Sequence, residues 1–96
     1  MTAYRGGVGS RREARERALG LLYEAEVKDQ PVIDRAVLRM GAFELCHRSD
    51  VPTGAVLSEA VELAGAYSTE ESSRFVNGVL AAIAAEVRGG SGDEVR

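Results

Sequence analysis

Apolar residues recur along this chain at the spacing of helices that bury one face. Ala14, Ala18, Leu21, Leu22 and Ala25 form one such stripe, and with Ser10 as N-cap they predict a first helix from about Arg11 to Lys28. A second row on that helix, Arg12, Arg15, Leu19 and Tyr23, leads two arginines into two large apolar groups that need cover. Pro31 sits where a second helix can begin. From Ile33 to Leu45 that helix is apolar almost all round, leaving only a narrow polar sector at Arg35, Arg39 and Cys46, so it should be central. Its register puts Glu44 among Ile33, Val37 and Met40, where a buried carboxylate would need a hydrogen-bonded or cationic partner.

The run Arg48 to Thr53 reads as a break, because Pro52 disfavours helix at Val51 and Ser49 and Asp50 supply turn chemistry. Beyond it, Val56, Ala60, Leu63, Ala64 and Tyr67 make the stripe of an amphipathic third helix with Ser58, Glu59 and Glu62 facing out. Ser68-Thr69-Glu70-Glu71 has the form of a capping box and opens a fourth helix, which runs through Phe75, Val76, Val79, Leu80, Ile83 and Val87 to Gly89-Gly90. The expectation is an all-α fold, a small bundle of about four helices over residues 10–88. A flexible arm over 1–9 and a flexible polar tail over 89–96 flank it.

Composition narrows the chemistry. Fourteen alanines and eight leucines against two prolines favour helix, and no apolar run approaches the roughly 18 residues of a membrane span. With no secretory signal at the start, the expected place is the cytoplasm. One cysteine and one histidine leave no internal disulfide and no metal cage, so no cofactor is expected. Cys46 and His47 are neighbours pointing about 100° apart on a helix, a poor nucleophile and base, and the chain is not expected to be an enzyme.

Charge is uneven: residues 1–17 carry five arginines against two glutamates, and the remainder carries seven cations against thirteen acids. A basic arm on an acidic chain of net charge −3 suits phosphate contacts, because arginine keeps its charge and offers a fork to them. A solvated face of Arg/Glu pairs explains the same residues equally.

Three stretches together resemble the NusB family of transcription antitermination factors. They are Arg11-Arg12-Glu13-Ala14-Arg15-Glu16 leading into Leu21-Leu22-Tyr23-Glu24; Asp34 to Leu45 followed by Asp50-Val51-Pro52; and Ser58-Glu59-Ala60-Val61-Glu62-Leu63-Ala64 through Arg74-Phe75-Val76-Asn77-Gly78-Val79-Leu80. The resemblance implies an all-helical, non-catalytic protein. With NusE, a ribosomal small-subunit protein, such a factor binds single-stranded boxA-type RNA and holds the elongating RNA polymerase complex in a termination-resistant state. It places the RNA surface on Arg11, Arg12 and Arg15 on one side and Arg74 and Phe75 on the other. The arginines would take phosphates and the ring a stacked base, so both halves are expected to lie side by side. Core packing is the competing role for Phe75. By the same resemblance Asp34 faces NusE, although an acid in a helix's first turn is also explained by the dipole. Asn77 and Gly78 look architectural, the amide bonding nearby backbone and the glycine allowing close helix approach.

The sequence departs from the family in one respect. Five residues separate Lys28 from Asp34, where family members carry two or three further helices, so part of the N-terminal bundle is missing. Leu19, Tyr23 and part of the central helix then lose their expected partners. Helix one docks on the C-terminal helices, or the chain forms a homodimer or swaps to cover those stripes, or it folds poorly. Two other readings compete with the RNA binder. One is an interaction module that keeps the NusE-facing surface without RNA affinity. The other is the accessory domain of a ribosomal RNA cytosine methyltransferase, which would require a long catalytic domain after residue 96.

Overall fold

The computed structural model describes residues 8–26 and 29–88, and these form four helices: α1 (Val8–Glu26), α2 (Val32–His47), α3 (Thr53–Tyr67) and α4 (Glu70–Val87). The fold is all-α, with no strand among the described residues. Residues 1–7 of the expected arm and the expected 89–96 tail lie outside them, while Val8 and Gly9 already belong to α1. Ser10 is therefore inside the helix and not its N-cap.

α2 and α4 form the central pair, each packed on the other three helices, with α1 and α3 flanking them. Leu38 of α2, Val56 of α3 and Val76, Leu80 and Ile83 of α4 are fully enclosed, joined by Ala18 and Ala25 of α1 and by Leu45, Ala60 and Ala64. Alanines at the α1 contacts bring that helix close and bury its expected stripe, with Leu21 and Leu22 half-covered at its edges. Helix one has docked on the C-terminal helices. At Gly41 the α2 backbone meets α4 so closely that a Cβ would sit 2.7 Å from Leu80 Cδ1. Gly78, the expected close-approach glycine, is exposed with nothing within 4 Å of such a Cβ, and Asn77 is exposed beside it. The crossing is made by the glycine of the more buried helix.

The helix starts also differ in detail. Pro31 and Pro52 both stand at N-cap positions without a side-chain cap, their fixed φ feeding the chain into α2 and α3. The cap of α4 lies one residue later than the Ser68 box: Thr69 Oγ1 accepts from Ser72 N–H at 3.0 Å, and the Ser68 and Ser72 hydroxyls lie 2.9 Å apart. Thr69 wins because its extended backbone aims the hydroxyl at the free N–H groups of the first turn. Asp29, in the link before α2, has φ 65°, a left-handed conformation that Asp tolerates better than most residues.

The joint between α2, α3 and α4 is closed by one side chain. Arg88 just past α4 donates to the backbone oxygens of Glu44, Leu45, Arg48 and Val51 and to Thr53 Oγ1, at 2.7–3.2 Å. Three of those carbonyls belong to the C-terminal end of α2, where a helix leaves carbonyls unpaired and its dipole favours a cation. The fork therefore ties the ends of α2 and α4 to the turn that starts α3. Glu44 is half-buried, and its backbone oxygen, not its carboxylate, meets this cation.

Candidate nucleic-acid interface

Three ion pairs and hydrogen bonds fix how α1 lies. Arg17 pairs with Glu86 near the end of α4, Arg15 Nη2 donates to Cys46 O at 3.3 Å, and Arg39 makes a two-pronged pair with Glu26 at 2.8 and 3.0 Å. The start of α1 thus meets the end of α2, and its end meets the middle of α2, so the two helices run antiparallel. The carboxylates hold the guanidinium pKa values of Arg17 and Arg39 above their ordinary level, chiefly through these hydrogen bonds.

Arg11, Arg12 and Arg15 are all exposed on the opening turns of α1. Arg12 has only a loose pair with Glu16 at 3.6 Å between two exposed side chains, which is worth little in water. Arg11 and Arg15 have no ion pair among the described residues. They line an open cleft of about 780 Å³ together with His47, Ser49, Thr53 and Arg88, at the point where α1 begins and α2 and α4 end. Among the described residues no acid lines this cleft, and the nearby Asp50 is bound to Arg48 through two hydrogen bonds at 3.0 and 2.9 Å. The same bonds hold the Asp50 carboxyl below its ordinary pKa, so it stays an anion tied to Arg48. Cys46 opens on the cleft as a thiol: burial raises its pKa, against a smaller downward pull from Arg15 and Arg88. Among the described residues no three His, Cys, Asp or Glu side chains group as metal ligands.

The other expected site residues lie elsewhere. Arg74 and Phe75 are in the second turn of α4, and Phe75 is twelve residues before Val87, about 18 Å from the cleft along the helix. Arg74 is exposed and salt-bridged to Glu70 at 3.4 Å, while Phe75 is half-buried against the core. The expected juxtaposition of the α1 arginines with this ring is therefore corrected: α1 docks with its basic end at the opposite end of α4. Asp34 is fully enclosed in the first turn of α2, and neither carboxylate oxygen has a hydrogen-bond partner. As placed, it presents nothing to a protein partner.

A family model for the NusB family matches residues 2–85. The chain belongs to the NusB family. Comparison with curated proteins and with solved structures gave no match. For a NusB-family chain the kind of function indicated is RNA binding in transcription antitermination, and among the described residues Arg11 and Arg15 at the opening turns of α1 are exposed arginines without an ion pair. His47, Arg88 and the exposed ring of Phe43 were missed as neighbours of those arginines. They lie 28 or more residues from Arg15 along the sequence, and no local pattern signals the contact. No helix of the described residues is long and apolar enough to cross a membrane.

Proposed function

We propose that this chain is a non-enzymatic, RNA-binding antitermination factor that acts in the cytoplasm with NusE on boxA-type leader RNA and the RNA polymerase elongation complex. The reading rests on one observation: Arg11 and Arg15, with Arg12 beside them, stand exposed around a cleft that no acid of the described residues lines. Guanidinium groups so placed can fork onto successive phosphates and release counterions from the strand. Arg74 and Phe75 belong to this reading only if the strand extends along α4.

The test is a titration of boxA-type RNA at several salt concentrations with the chain and its Arg11→Ala/Arg12→Ala/Arg15→Ala variant. Each lost phosphate contact should flatten the log–log salt slope by about 0.7. Equal slopes and affinities for the two proteins would refute the role of this arm. An exposed apolar strip of Leu19, Tyr23, Met40 and Phe43 favours a second reading, an interaction module without RNA affinity. That reading predicts no RNA binding by either protein.

A further inference from the structure

The row Arg11, Arg15, Leu19 and Tyr23 repeats every four residues along one face of α1, covering about 18 Å of helix. Antiparallel to it, α2 presents His47, then Phe43, then Arg39. Between the two helices runs a shallow trough of about 280 Å³, floored by the small side chains Ala18 and Ala42 and walled by Leu19 and Phe43. Arg15 and His47 line both this trough and the basic cleft, so the two are continuous. Phe43 is 58% exposed and Tyr23 69%, whereas Phe75 is half-buried. The Phe43 and His47 ring centroids stand 5.0 Å apart with the planes tilted by 37°, a pair of aromatic faces beside the exposed Arg15.

We propose that the α1–α2 seam is the track of the RNA strand, with phosphates held by Arg11 and Arg15 and an unpaired base stacked on Phe43 and His47. The proposal rests on the RNA-binding reading and names the base platform within it. Charge selects this occupant over a second copy of the chain. Arg11, Arg12, Arg15 and Arg39 stand beside the seam against Glu16 and Glu26, and Glu26 is held by Arg39, so the charge left over is positive. A second copy pairing through this same face in a two-fold dimer would bring more of the same charge, while a single strand brings a phosphate for each arginine and an apolar face for each ring.

The experiment uses the whole chain, a dye-labelled boxA-type single-stranded RNA and an abasic strand of the same length, read by fluorescence anisotropy. Phe43→Leu should weaken RNA binding about tenfold and leave abasic binding unchanged, while Arg11→Ala/Arg15→Ala should weaken both. Because the chain has no tryptophan, Phe43→Trp adds a single indole whose emission should be quenched by RNA and not by the abasic strand. Circular dichroism and sizing accompany each variant. Loss of RNA affinity on Phe75→Leu with none on Phe43→Leu would overturn the track while sparing the RNA-binding reading. So would a dimer that Phe43→Leu splits without changing RNA affinity. Failure of the unmodified chain to bind either strand would remove both.

Discussion

Replacing Arg88 by alanine removes the group that joins three helix ends. Its guanidinium makes five hydrogen bonds, four of them to backbone carbonyls, and three of those carbonyls lie within or just past the last turn of α2. A hydrogen bond to a charged group contributes roughly 1.5–3 kcal/mol and a partly buried cation at a helix C-terminus up to about 2 kcal/mol. These do not add, because one side chain makes them all and water can reach the rim of the joint once it is gone. The net loss expected is about 2–4 kcal/mol, a large share of the roughly 5–15 kcal/mol that holds a small domain. At about 4–8 °C per kcal/mol for a domain near this size, the melting temperature should fall by roughly 8–32 °C. Arg88→Lys keeps a cation at the α2 terminus but, as a point charge without the planar fork, should recover less than half of the loss. Arg88→Met, which keeps the apolar stem, should recover little. Thermal and urea unfolding followed by circular dichroism read all three. A melting temperature for Arg88→Ala within a few degrees of the unmodified chain would show that water replaces the fork at no cost, and the reasoning fails.

The two glycines at opposite ends of the packing scale should respond with opposite signs. Gly41→Ala pushes a methyl against Leu80, itself fully enclosed, and should cost about 1–3 kcal/mol in urea unfolding, whereas Gly78→Ala, in open space in mid-helix, should stabilise by about 0.5–1 kcal/mol. Equal responses would mean that Leu80 moves aside freely. Asp34→Leu, of similar branched shape, replaces two enclosed oxygens that lack hydrogen-bond partners by apolar groups, so urea unfolding should show a net stabilisation of about 1 kcal/mol. Destabilisation by Asp34→Leu would reveal a partner for the carboxyl in solution.

Helix number, type and order were legible because each helix carries its own stripe at helical spacing. The boundaries were less so: the α1 start and the α4 cap each moved, since near-equivalent hydroxyls and glycines compete within one turn and packing chooses among them. Core alanines at 14, 18 and 25 were readable for the same reason, and so was the need of Leu19 and Tyr23 for cover, which this fold leaves unmet. The basic character of the α1 opening was likewise visible, because charge is a property of the side chains themselves.

What surrounds that charge was decided by tertiary structure. An arginine at the end of α4 finds carbonyls 37 to 44 residues away, and Phe43 rather than Phe75 becomes the exposed ring beside Arg15. Periodicity says which face of a helix is apolar but not which helix will lie against it, nor in which direction. Here the antiparallel docking of α1 on α2, fixed by Arg39–Glu26 and Arg15–Cys46, set both. Local sequence thus specified the helices and their stripes, and the mutual placement of distant stripes assembled the cleft and the seam.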